Sequence, residues 1–289
     1  MNTNNEISAL FSLIDDPDEE VFSCVSNKIV TLGSYIIPNL EDLWENTISE
    51  EVQERIELLI HRLHYQDLTA DFTDWKNSGH PELLLGALLV AKFQYPNMQS
   101  ASVLYEVEKI KKNIWLELNG FLTPLEQAHV ISSILYSYYN LRGGAVEYSN
   151  PDNFFIHKTL QNKQGNAYTL GLLYLILTEV LDMPIKAIAV PNQFVLAFFK
   201  SDNCADIDVN NLQQHVHFFI DATSGHAFSH NDILNYFKRV EEVPTPEYFQ
   251  PLNSIQVIKI LLNQVAKCFS KPGESYKMRE LATLIELLD

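Results

Sequence analysis

The sequence predicts a mostly helical α+β protein: helical hairpins first, then one apolar helix packed on a small antiparallel sheet, then helices again. Three observations carry this. Apolar residues recur at three- and four-residue spacing over residues 6 to 66 and again from 81 to 141. The stretch 167–181 is apolar nearly all round, as a helix enclosed by other elements must be. After it come three short apolar runs bounded by Pro, Asn, Asp or Gly, at 185–190, 193–199 and 216–222, which read as strands.

The elements come in order. Leu10, Phe11 and Ile14 belong to a first amphipathic segment. "DDPDEEV" then gives Asp16 as the expected N-cap of a helix with Pro17 and acidic residues in its first turn. Val21, Phe22, Val25, Ile29 and Leu32 line its apolar face, Gly33 ends it, and Pro38 opens the next helix through Leu40, Leu43 and Trp44. Ser49 is the expected N-cap of a third helix in "ISEEVQERIELLIHRL". "PELLLGALLVAKFQY" (81–95) is an apolar helix, and helices succeed it at 98–118 and at 124–141, the latter capped by Thr123 before Pro124. "RGGAVEYSNPDN" is a turn-rich break. Gly165 and Asn166 turn the chain into the apolar helix, with Thr169 able to hydrogen-bond in its first turn. Past the strands, "SIQVIKILLNQVAKCF" and "ESYKMRELATLIELL" return to helices.

Totals exclude several function classes. The chain has 289 residues and is 46% hydrophobic, enough to build a core. Its formal net charge of −17 repels a phosphate backbone or an anionic membrane, so neither nucleic acid nor membrane is an expected partner. "MNTNNEISAL" has no basic segment leading into an apolar one, and "LGLLYLILTEVL" is too short for a span, so a cytoplasmic location is expected. Cys24, Cys204 and Cys268 lie far apart without CxxC pairing, which suggests neither disulfides nor structural zinc, and no cofactor is expected. His61, His64, His80, His129 and His157 are scattered, while His226 and His230 are expected to cap the helix from Asp232.

Two resemblances refine this reading. "DPDEEV", "LG" and "IPNLEDLW" resemble a HEAT repeat, about one and a half units long, which implies that 1–95 is a HEAT-like helical region leaning on the part of the chain beyond it. "NPDNFFIHKTLQNKQGNAYTLGLLYLILTEVLDMPIKAIAVPNQFVLAFF", succeeded by "FFIDATSG", resembles the SirB-type branch of the transglutaminase-like superfamily. The resemblance implies a papain/transglutaminase-like domain over 96–250, with its core at 140–240, and a C-terminal helical extension over 251–289. It also implies an acyl-transfer triad: Cys at the start of the central helix, His on the next strand, Asp on the one after. Carried over residue by residue, these positions hold Ala167 or Tyr168, Gln193 and Asp221. A methyl or phenol is no thiolate, and a Gln amide exchanges no proton near neutrality. Asn192-Gln193 departs even from the branch, whose members tend to keep the His.

The expected function is therefore a non-catalytic transglutaminase-like protein of a bacterial cytosol that binds a protein or peptide partner. Its expected groove comprises Tyr168, Asn192, Gln193, Phe194 and Asp221. Asp221 is expected to serve as a structural acceptor toward Gln193. The alternative is a hydrolase or acyltransferase of the peptidase or amidase kind, using a relocated thiol or a metal. Cys204, in "SDNCADID", is the candidate thiol, since Cys24 and Cys268 sit on apolar helix faces. His215, His217 and Asp221 share strand parity and could face one metal, but Phe219 shares that face, and no metal is expected.

Overall fold

The computed structural model describes residues 2–200, 207–270 and 275–289. The chain forms two compact units, Met1–Asp71 and Phe72–Asp289. The first contains α1 (Asn2–Phe11), α2 (Glu19–Leu32), α3 (Ile37–Asn46) and most of α4 (Glu50–Asn77). Ile14, Phe22, Val25, Ile29, Ile36, Leu40, Ile56 and Leu59 form its core; of the other residues that the spacing named, Leu10, Phe11, Val21, Leu32 and Leu43 pack on it partly buried, while Trp44 is exposed. The cap of α2 is Asp18, whose carboxylate accepts the N–H of Glu20 at 2.8 Å. Asp16, the expected cap, instead accepts the N–H of Asp18 at 2.9 Å and tightens the turn before it. Gly33 closes α2 with φ +88°, a conformation other residues rarely adopt, and Pro38 sits in the first turn of α3. Arg55 ties the unit together: Nη1 donates to the carbonyls of Ile14 and Asp16 at 3.0 and 2.7 Å, and the guanidinium lies 4.7 Å over the Phe22 ring.

The division at 71/72 falls within α4, upstream of the 95 expected from sequence. The apolar helix α5 (Leu83–Lys92) therefore belongs to the second unit, where it packs on elements later in the chain. The unit continues with α6 (Ser100–Glu117) and α7 (Pro124–Ser132), the latter started by the Thr123–Glu126 capping box. The helix expected over 124–141 does not stay α: Ser133–Tyr138 widens to π geometry. Arg142–Gly143 (β1) pairs in parallel with Gln164–Gly165 (β2), across α8 (Ile156–Asn162).

At the centre lies α9 (Ala167–Val180), with Thr169 through Thr178 all buried. Its apolar circumference is explained by its neighbours, since α5, α6, α8 and the sheet all pack on it. The sheet runs β3 (Ile185–Val190), β4 (Gln193–Phe199), β5 (Val216–Asp221), β6 (Ala227–Phe228), every neighbour antiparallel. Phe194 faces α9, against Gly171, where a Cβ would come within 2.7 Å of its ring. The opposite face, with Val195, Ala197, Phe199, Val216 and Phe219, packs on Ile233 and Phe237 of α10 (His230–Arg239) and on Phe249. The helices α11 (Ser254–Ala266) and α12 (Ser275–Leu287) complete the unit, as expected from sequence.

One irregularity reorganises β5. Phe198 pairs with Phe218 but Phe199 pairs with Val216, so His217 is an extra residue, a β-bulge. The bulge reverses parity, placing Val216 and Phe219 on one face although they are an odd number of residues apart.

Candidate functional site: the start of the central helix

The site is built around the N-terminus of α9. Asn166, 2% exposed, is the N-cap. Its Oδ1 accepts the N–H groups of Tyr168 at 2.9 Å and Thr169 at 3.2 Å, while Thr169 Oγ1 accepts the N–H of Asn166 at 3.1 Å. Asn166 Nδ2 donates to the carbonyl of Asn153 at 3.0 Å, tying the helix start to the Pro151–Phe154 turn. The helix terminus, which attracts anions and lowers thiol pKa values, is thus closed by an internal amide acceptor.

Ala167 and Tyr168 stand at the expected nucleophile position. The Tyr168 ring is tilted against Phe194 at 5.5 Å and Phe154 at 6.2 Å, and Phe154 stacks on Tyr148 at 5.6 Å. Burial holds the Tyr168 hydroxyl above the usual phenol range. Two residues of the expected groove, Tyr168 and Phe194, are therefore in direct contact. Asn192, with φ +56°, makes the β3–β4 turn, and Gln193 is exposed at the start of β4.

Asp221 ends β5 opposite Val195, on the face turned away from α9. Its carboxylate does not reach for Gln193, as expected from sequence, but folds onto its own turn. It accepts the Thr223 N–H at 2.9 Å, the Thr223 hydroxyl at 2.8 Å and the Ser224 hydroxyl at 2.6 Å. Burial alone would raise its pKa, but these hydrogen bonds prevail and hold it below the ordinary value of 3.8. The turn is clamped from outside: Tyr136 donates to the Ala222 carbonyl at 2.6 Å, and Ser132 to that of Gly225 at 2.8 Å. Burial raises the Tyr136 hydroxyl far above the normal phenol value.

The proposed metal set does not assemble. His215 precedes β5 and His217 is the bulge residue, its ring 5.6 Å from Phe198, so the shared parity with Asp221 is lost. Among the described residues no group of three or more His, Cys, Asp and Glu could hold a metal. His226 and His230 do not cap α10; Ser229 and Asp232 do, as a capping box, while His230 Nε2 meets the Val216 carbonyl at 2.9 Å. Cys24 is exposed, against the expectation of an apolar face, and Cys268 is buried with its thiol pushed up to about 11 by desolvation. Cys204 lies outside the described residues.

Sequence reasoning missed a polar pocket beside Asn166, about 170 Å³, lined by Gly144, Glu147, Asp152, Asn153, Lys158 and Gln164. Asp152 is held there by the Tyr95 hydroxyl at 2.6 Å and the Lys158 ammonium at 3.7 Å. The "NPDNFF" turn was its only signal. No helix among the described residues is long and apolar enough to cross a membrane.

Comparisons with known proteins bear on the family of the chain. A family model described as the transglutaminase-like superfamily matches residues 101–263, more than half of the chain. The UPF0162 protein YchA of Escherichia coli K12 is 22% identical over 182 residues, covering 62% of this chain and 63% of that protein. Protein SirB1 of Salmonella typhimurium is 23% identical over 111 residues, 38% of this chain and 41% of that protein. F-box only protein 21 of Mus musculus is 27% identical over 79 residues, 27% of this chain and 13% of that protein. The chain thus spans less than two thirds of the length of each of these relatives. No solved structure matches.

Proposed function

The chain belongs to the transglutaminase-like superfamily, on its SirB-type branch, and from that premise we propose that it works by binding a protein or peptide segment and not by acyl transfer. One observation carries the reading: the start of α9, where the superfamily's nucleophile is expected, presents Ala167 and Tyr168 behind an Asn166 cap. Acyl transfer needs an ionisable nucleophile beside a proton acceptor. Tyr168 contacts rings, Gln193 cannot act as a base, and Asp221 is engaged by Thr223 and Ser224. What supports the reading is the exposed end of the β3–β4 hairpin, Asn192-Gln193, beside the half-buried Tyr168, whose ring rests on the buried Phe194; we read that end as the contact surface for a peptide segment. The charge of −17 favours a protein partner over a polyanion.

The test has two arms. Alkylation of the native protein near pH 6, resolved by mass spectrometry, should label no cysteine fast, because an unperturbed thiol (pKa about 8.5) is almost wholly protonated there. Fast, single-site labelling of Cys204 would instead favour the hydrolase or acyltransferase reading. In the second arm, a photo-crosslinking side chain at Gln193 should give one discrete adduct in lysate, and the same group at the exposed Val243 should give none. Identical adducts at both positions would reject the binding surface.

A further inference from the structure

The second unit carries an aromatic, charged face on α6 that its own fold does not use. In "SASVLYEVEKIKKNIWLE", Val103, Val107, Ile110 and Ile114 are buried, spaced four, three and four apart. The opposite face has its own seam at the same rhythm: Ala101, Tyr105, Glu108, Lys112 and Trp115. Large rings rarely stand in water along a continuous stripe, yet Tyr105 is 69% and Trp115 65% exposed, with Leu104 and Leu116 on the flanks at 40% and 63%. The side chains of Tyr105, Glu108, Lys112 and Trp115 line one open groove.

The order of residue types in this seam is self-complementary. Read forward it runs aromatic, acid, base, aromatic, and read backward it runs aromatic, base, acid, aromatic. Two copies laid antiparallel about a two-fold axis level with Ile110 would set Tyr105 against Trp115 of the other copy, and Glu108 against its Lys112, each contact occurring twice. A closed dimer interface demands such a pattern, because the same patch must fit itself. Local charge also permits it. Although the chain carries −17 overall, this stretch of α6 balances Glu106, Glu108 and Glu117 with Lys109, Lys111 and Lys112. Lys109 pairs with Glu106 at 3.8 Å and Lys111 with Glu108 at 3.0 Å, whereas Lys112 pairs with no carboxylate among the described residues.

We propose that this face is a homodimer interface in which α6 pairs antiparallel with α6 of a second copy through Tyr105–Trp115 and Glu108–Lys112 contacts. A helix of this length is about 27 Å long, and the stripe would bury roughly 500–600 Å² per copy, the low end of specific interfaces. An interface of this size belongs with the weak, transient ones, so the association is reversible.

Sedimentation velocity of the full chain from about 1 to about 100 µM, the range in which weak protein pairs dissociate, tests this. The wild type should shift from the 33.1 kDa monomer toward twice that mass. Glu108→Lys and Lys112→Glu should each weaken self-association at least ten-fold while leaving the circular dichroism spectrum unchanged. Mixing the two variants should restore the dimer, since each supplies the charge that the other lacks. A wild type that stays monomeric throughout, a dimer indifferent to both single substitutions, or a mixture that fails to re-associate would overturn the proposal. Trp115→Ala, which removes the ring without touching charge, should abolish the dimer in the same assay.

Discussion

Gly143 and Gly144 are adjacent, yet the structure assigns them opposite tolerance to one added methyl group. A Cβ on Gly143 would lie 2.3 Å from the carbonyl oxygen of Thr223 and 2.9 Å from its carbonyl carbon, backbone atoms that cannot rotate away. Relief requires a separation of about 1 Å, given ordinary carbon contact distances. That separation pulls β1 off the Asp221–Gly225 turn. Overpacking of this kind costs about 1–3 kcal/mol. The shift also strains the bonds from Arg142 N–H to the Lys163 carbonyl and from Gly144 N–H to the Gly165 carbonyl, both 2.9 Å, each worth about 1 kcal/mol. Gly143→Ala should therefore destabilise by about 3–4 kcal/mol, lowering Tm by roughly 6–16 °C for a unit of this size. At Gly144 the nearest atoms to a Cβ are at 3.6 and 3.8 Å, ordinary contact. Gly144→Ala should be neutral, or stabilising by up to about 1 kcal/mol through the unfolded chain. Urea titrations and thermal melts of the two variants beside wild type provide the comparison. If they lose equal stability, or neither loses any, the close approach of β1 to Thr223 does not exist in solution.

Two further outcomes concern the same turn. Asp221→Asn should cost about 1–2 kcal/mol at neutral pH, discounted because the carboxylate is only half-buried. Its folded pKa is lowered, so its stabilisation is complete above the unfolded value of 3.8 and fades as pH falls through the lower folded one. The two stability curves should thus converge below about pH 4, and a constant gap down to pH 2 would show that charge is not the cause. Tyr136→Phe leaves the Ala222 carbonyl without its donor in a buried position and should cost about 1–3 kcal/mol at any pH from 5 to 8; an unaltered urea midpoint would mean that water replaces the hydroxyl.

Much of the fold is legible because it is written in local pattern. The three principal strands agree with their apolar runs to within one residue, and α9 likewise, because those runs are bounded by turn-forming residues. The Thr123 cap is legible from Thr-Pro and the Glu three residues on. What fails depends on partners distant in sequence. His217 carries nothing that marks it as a bulge; only the pairing of its neighbours Phe218 and Val216 with Phe198 and Phe199 does, and with it falls the metal set. The parallel β1–β2 pair joins two dipeptides too short to show any period. Asp221 is an acceptor, as its position suggests, but with a different partner, since Thr223 and Ser224 compete at two- and three-residue range. Asp18 displaces Asp16 as cap because both carboxylates fit the pattern and only geometry chooses.

The bulge at His217 bears on how this chain can change length. Beyond the bulge, losing one residue of β5 would carry the side chains after it through the sheet. Losing His217 alone would leave Val216 paired with Phe199 and Phe218 with Phe198, now as consecutive rungs of an uninterrupted ladder. The strand thus contains a single spare position, and homologues one residue shorter at this point would keep the same inward-facing rings.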